Sequence, residues 1–210
     1  MKTNFETFLL EKEKEVLNLP WDNQLFYSNF LAQTYCYVRN SLRILTFAAA
    51  YTKIDKEMQR NQLLRHVQEE QGHDRLLVTD LKQLGVDASS LKEFYSTTSF
   101  YEMQLFKIQN YGAESVFGWA LVLEGIAALY GPDIYERCQS KFGDQASRFL
   151  KVHANEDPEH FQNAIQAAMK ASDSELKTIS NNFYHSYYLY LNMLDDCQKT
   201  SGVLYQTSAA

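Results

Sequence analysis

Four of the five histidines in this 210-residue chain sit in two octapeptides of one pattern, His-x2-Glu-acid-x2-His: His66-Val-Gln-Glu-Glu-Gln-Gly-His73 and His153-Ala-Asn-Glu-Asp-Pro-Glu-His160. Imidazole nitrogens and carboxylate oxygens at that density are the donor set of a transition-metal ion. On an α-helix, which turns about 100° per residue, positions i, i+4 and i+7 fall within an arc of about 60°. Each octapeptide therefore presents two imidazoles and a carboxylate on one face, and two such faces opposed across a bundle make a cage for one or two ions. Projection does not choose the carboxylate. Glu69 and Glu70 lie about 50° to either side of the His66/His73 direction, and Glu156 and Asp157 flank the second pair in the same way.

An acidic pair between histidines also occurs on solvated helix faces, so the neighbours decide. The arc that holds His66, Glu70 and His73 also holds Leu63, Leu77, Leu81 and Leu84. Around the second motif it holds Phe149, Leu150, Ala164, Ala167, Ala168 and Ala171. Polar groups that continue an apolar stripe point into a core, where they need partners, and a cation satisfies several of them at once.

The elements that must carry these motifs read as helices throughout. Gly (8) and Pro (3) are scarce and no stretch alternates in the strand manner, so the fold expected is all-α with about seven long helices. A charged amphipathic helix spans 3–18, and Asp22 is placed to cap a long segment reaching Thr52. Asp55 opens a third helix that runs through the first octapeptide to Leu84-Gly85. Helices over 97–111 and 113–130 break near Gly112, and Gly131-Pro132-Asp133 ends the second and starts a short one to Phe142. Gly143-Asp144 caps the helix of the second octapeptide, which Pro158 is expected to kink or restart with Asp157 as the new cap. Ser172-Asp-Ser-Glu175 is a capping box for a last helix to Cys197. One helical domain over 1–199 is expected, followed by a loose tail over 200–210.

Composition narrows the partners. A net charge of −6 without a Lys/Arg cluster argues against nucleic acid and anionic membrane. Cys36, Cys138 and Cys197 are odd in number and lack C-x2-C spacing, which suits free thiols in a reducing compartment. No signal-like apolar region opens the chain, and no stretch is read as a membrane span, so a cytoplasmic protein is expected.

The second motif, His153-x3-Asp157-x2-His160, resembles the last ligand triplet of the heme-oxygenase-like diiron oxidases, a branch of the superfamily that includes the TENA/THI-4 and PqqC-like proteins. The stretch from His66 through His73-Asp-Arg-Leu-Leu-Val-Thr-Asp-Leu-Lys-Gln-Leu-Gly85 is similar to the segment typical of the iron-containing redox enzymes. Leu121-Val-Leu-Glu124-Gly125 resembles the helix that supplies a bridging Glu. The resemblance covers about residues 22–197 and implies a heme-oxygenase-like bundle with His73, Glu124, His153, Asp157 and His160 as ligands. It also implies one or two irons, dioxygen as co-substrate and oxidation of a small organic molecule; a homodimer is left open. One departure stands out: His66 occupies a position that is Glu in the better-known members, which lowers the charge available to hold two oxidised irons. Glu70 is the carboxylate that would compensate, giving four His and three carboxylates. Glu114 lies too far from the triplet for the family pattern.

Other functions are less well served. Heme oxygenases need an early axial His, and none precedes His66. TENA-type thiaminases use a nucleophilic Cys on the central helix, where this chain has Glu124. PqqC-like proteins bind a heterocycle without metal, for which Tyr184-His185-Ser-Tyr187-Tyr188 is the matching aromatic segment, otherwise read as core filling. A nonenzymatic metal-binding bundle is the third alternative.

Overall fold

A computed structural model describes residues 4–203, and within them the chain is helical with no β-strand. The helices are α1 (Asn4–Glu11), α2 (Glu13–Leu17), α3 (Gln24–Tyr51), α4 (Glu57–Glu69), α5 (His73–Gln83), α6 (Tyr95–Tyr111), α7 (Val116–Phe142), α8 (Arg148–Lys170) and α9 (Asp173–Lys199). α7 forms the axis: it packs along α8 and α9, while α3 lies against α4, α5 and α6. The contact of α7 with α9 is close because Gly118 stands at the crossing. A Cβ there would come within 2.3 Å of the Ile179 carbonyl oxygen and 2.6 Å of the Phe183 nitrogen.

The helix count exceeds the expected seven or so because local breaks and joins differ from the sequence reading. The first expected helix is split into α1 and α2. The third is split at Gly72, whose backbone is left-handed at φ 94°, so His73 is the first residue of a new helix. Conversely, α7 runs through Pro132 and α8 through Pro158 without interruption. The missing donor of each proline is outweighed by the burial of α7 and by the long α7–α8 interface, a case of packing overriding local preference. Asp157 is consequently a mid-helix residue rather than a cap.

Caps differ by small shifts. α3 is capped by Asn23, not Asp22: its side chain accepts hydrogen bonds from Leu25 N (3.0 Å) and Phe26 N (3.1 Å). α4 begins after Lys56 rather than Asp55. α8 begins at Arg148, after a short 3-10 turn over Asp144–Ala146. The capping box at Ser172 and Glu175 is present, and α9 extends to Lys199. Of the expected tail, Thr200 closes α9 and Val203 packs on the core; residues 204–210 lie outside the described part.

α7 is also long and apolar enough to cross a membrane by length and composition, which the sequence reading overlooked. Its most apolar window is 72% buried, so that apolarity faces the interior of the bundle. The segment Tyr184–Tyr188 packs through Tyr184 and Tyr187 against Phe8 of α1, and His185 is exposed.

Candidate metal centre

The two octapeptides meet in antiparallel order near the middle of the bundle. The first histidine of each faces the last of the other: the His66 and His160 ring centroids are 5.4 Å apart, and those of His73 and His153 are 4.8 Å apart. The left-handed turn at Gly72 chooses between the carboxylates that projection left equal. Glu70, the C-cap residue of α4 and the first of the turn, points inward, and its two oxygens divide between the histidines of its own octapeptide. Oε1 is 3.4 Å from His66 Nε2 and Oε2 is 3.2 Å from His73 Nδ1. Glu69 points outward with a half-exposed side chain 3.6 Å from His160 Nε2.

The second octapeptide repeats this division on an unbroken helix. Asp157 is buried, with Oδ1 3.4 Å from His160 Nδ1, and Glu156 is half-exposed, 3.8 Å from His73 Nε2. From α7, buried Glu124 brings Oε1 to 3.4 Å from His66 Nε2. The seven residues of the sequence reading, His66, Glu70, His73, Glu124, His153, Asp157 and His160, are thus gathered by four helices. Glu114 is elsewhere, in a groove with Lys56 and Glu175.

Two trios could each surround an ion: His66, Glu70 and His160 on one side, and Glu70, His73 and His153 on the other. Within each trio the ligand atoms lie within 4.8 Å of one another. Ligands on one ion with bonds of about 2.1 Å stand about 3–4 Å apart, so a small inward movement suffices. Glu70 belongs to both trios. Of the six buried side-chain polar atoms without a hydrogen-bond partner among the described residues, two, Glu124 Oε2 and His160 Nδ1, lie in this cluster. Buried orphans of this kind are what a cation would satisfy.

Burial and the contacts within the cluster shift the pKa values of its members. Burial opposes protonation of His66, but Glu70, Glu124 and Glu69 outweigh it and lift its pKa to about 9. Burial alone would raise Glu70, yet hydrogen bonds from His66 and His73 hold it well below the usual carboxylate range. Glu124 has less compensation, and burial pushes it up to about 8. Contact with Glu70 raises His73, and contact with Asp157 raises His160.

An apolar cavity of about 100 Å³ borders the cluster. His66, Glu70, Glu124, His153 and Asp157 form its polar side, and Phe30, Leu45, Leu123, Ile134 and Leu150 are among its walls. Among the described residues, no lysine or arginine lines it.

The sequence matches the family described as iron-containing redox enzyme over residues 28–193. The chain belongs to that family. Solved structures agree on the fold. A domain of unknown function with a heme oxygenase-like fold from Shewanella denitrificans superposes with a TM-score of 0.80 at 17% identity, covering 92% of this chain and 91% of that one. A TenA homolog from Pseudomonas syringae gives 0.77 at 13% identity, covering 94% and 92%. A TenA homologue from Pyrococcus furiosus gives 0.63 at 14%, covering 94% and 100%. No curated protein matches the chain.

Within this iron-containing redox enzyme fold, one residue that positions the cluster escaped the sequence reading. Asp80, fully buried on α5, accepts a hydrogen bond from Phe149 N (2.9 Å) and so caps α8 from another helix. The cap residue of α8 itself, Ser147, turns its hydroxyl to the Gly143 carbonyl instead. The Phe149 carbonyl accepts from His153 Nδ1 (2.8 Å), which leaves His153 Nε2 as the nitrogen free to ligate. The Phe149 ring lies 3.9 Å from the His153 ring, fixing the imidazole plane. The only signal in the sequence was that Asp80 falls seven residues after His73.

Asp80 also gives a pH prediction. Burial raises its folded pKa to about 6, above the ordinary 3.8, so the folded state binds the extra proton between those values. Stability from this group is therefore greatest below about 4 and declines as pH rises to about 6. Asp80→Asn keeps an acceptor for Phe149 N and removes the ionisation. The variant is expected to gain about 1–3 kcal/mol on the wild type between pH 4 and pH 7. Urea denaturation of both proteins at the two pH values checks this, and an unchanged difference would refute it.

Proposed function

We propose that this protein holds reduced iron in the His-carboxylate cluster and uses dioxygen to oxidise a small organic molecule seated in the adjoining cavity. The observation that carries the reading is the position of Glu70: one carboxylate spans two pairs of histidines at the edge of an apolar cavity. Membership of the iron-containing redox enzyme family supports it. Bound iron would supply the one-electron and dioxygen chemistry that no side chain here can provide.

The chain's own contributions can be assigned. His66, Glu70 and His160 would hold one ion, and Glu70, His73 and His153 a second or alternative one, with Glu124 and Asp157 completing the charge. His153 is held in one tautomer by the Phe149 carbonyl. Burial raises the pKa of Glu124, and metal uptake would favour its ionised form. The cavity walls exclude bulk water and pack a substrate against the cluster.

A metal-independent reaction of the thiaminase kind would need a reactive thiolate. Cys36 and Cys138 are buried and pushed up to about 12 by that burial, and Cys197 is raised as well. None is poised as a nucleophile at neutral pH.

The test is metal analysis after chelator-free, anaerobic loading with Fe(II), followed by oxygen-consumption measurements. Wild type is expected to retain between one and two irons per chain and to consume dioxygen. His153→Ala should weaken iron binding by at least about tenfold and abolish consumption. Retention of iron or turnover at the wild-type level in that variant would overturn the assignment.

A further inference from the structure

One residue that lines the cavity carries a buried hydrogen-bond donor without a partner. Trp119, 3% exposed on α7, has its indole Nε1–H buried with no acceptor among the described residues. Other donors of the wall are engaged: Trp21 Nε1 with the Val16 carbonyl (2.9 Å), Ser41 Oγ with the Val38 carbonyl (2.7 Å) and His153 Nδ1 with the Phe149 carbonyl (2.8 Å). A buried donor left unsatisfied is costly, and native proteins keep few of them without a reason. The other orphan among the residues lining the cavity is the Glu124 Oε2 carboxylate atom of the cluster, which a cation accounts for; an N–H cannot be satisfied by a cation. It requires an acceptor.

We infer that Trp119 is a substrate-binding residue whose indole N–H receives a hydrogen-bond acceptor on the molecule to be oxidised. This rests on the reading of the cavity as the substrate site. The class of ligand follows from the walls. No described lysine or arginine lines the cavity, and His66 on its polar side is already paired with Glu70 and Glu124, which disfavours a carboxylate at the Trp119 end. The acceptor is a neutral oxygen, a carbonyl or ether, on a compact apolar skeleton. Trp119 precedes Glu124 by five residues, a rise of about 7.5 Å along α7. The acceptor therefore stands several bonds from the carbon presented to the cluster. The size agrees: a cavity of about 100 Å³ is somewhat smaller than the roughly 150 Å³ apolar cavity known to admit benzene.

The test uses cyclopentanone and its isostere methylenecyclopentane, in which a methylene group replaces the carbonyl oxygen. It is run on iron-free, ¹⁵N-labelled full-length protein. The chain has two tryptophans, so two indole N–H resonances report, and Trp21, already bonded to Val16, serves as the internal control. Cyclopentanone is expected to move the Trp119 indole proton downfield while the Trp21 resonance stays, and methylenecyclopentane is expected to leave the proton without that shift. In Trp119→Phe the affinity ratio of ketone to alkene should fall by about threefold to tenfold, the worth of one hydrogen bond. A Trp119 resonance unmoved at the highest soluble ketone concentration would overturn the inference. An equal ratio in both proteins would do the same. If the variant does not fold, the wild-type resonance alone decides. Because no iron is present, ketone preference in a protein that takes up no iron would leave this subsite standing and remove the iron reading. Iron uptake without ketone preference would do the reverse.

Discussion

Glu70→Ala is expected to lower iron uptake further than loss of any single histidine. Each histidine belongs to one trio, whereas Glu70 belongs to both, with one oxygen toward His66 and the other toward His73. Its removal deletes the carboxylate shared by the two positions, leaving His73 without its nearest carboxylate and His66 with Glu124 as its remaining near partner. Iron per chain after anaerobic loading and desalting should fall to less than about one-tenth of wild type, in line with the 10- to 100-fold affinity losses seen when even supporting residues of metal sites are lost. Glu69→Ala is the control. Its half-exposed side chain touches the cluster only from outside, so its iron content should stay near the wild-type level. Equal losses in the two variants would show that the inward and outward carboxylates are not distinguished by the site.

The largest expected effect on stability lies away from the cluster, at Gly118. The added methyl of Gly118→Ala would meet backbone atoms of α9 at 2.3 Å and 2.6 Å, and backbone in the middle of a helix cannot move aside as a side-chain end can. Relief requires α7 and α9 to separate along a buried interface. A destabilisation of about 2–4 kcal/mol is expected, which for a domain of this size lowers Tm by about 5–15 °C. Gly131→Ala, on the same helix, meets Ala154 at ordinary van der Waals distances and should change stability by less than about 1 kcal/mol. Thermal unfolding of both variants checks the pair of expectations, and similar Tm values for the two would contradict the steric argument.

The parts of this molecule that were legible in the sequence are those written in local pattern. Periodicity gave the helices, the Ser172 capping box marked α9, and the two octapeptides announced a cluster because four histidines with matched acids on apolar stripes are hard to reconcile with solvated faces. Glu124 has no such local mark and came only through family resemblance. What was not legible depended on chain geometry or distant partners. A projection onto one straight helix left Glu69 and Glu70 equal, and the left-handed Gly72 breaks that helix and selects Glu70. Pro132 and Pro158 carry strong local stop signals that interfaces elsewhere override. Gln33 of α3, which accepts from Phe94 N ahead of α6, and Asp80 of α5, which accepts from Phe149 N in α8, are caps drawn from 61 and 69 residues away. No window of sequence contains both halves of such a cap. Trp119 reads as one more aromatic in an apolar helix until the absence of an acceptor for its N–H is seen.

The borrowed cap on α8 bears on how portable the cluster is. A designer wishing to graft this cluster onto another helical scaffold would copy the His153-x3-Asp157-x2-His160 spacing and the opposing His66, Glu70 and His73. That transplant would omit the carboxylate on α5 that fixes where α8 begins, and with it the Phe149 carbonyl that orients the His153 ring. The imidazole would then be free to rotate and to present either nitrogen. The smallest transferable unit is accordingly α4 through α5 together with α7 and α8 from its first turn, because the orientation of one imidazole is encoded on a helix that approaches it only in the folded chain.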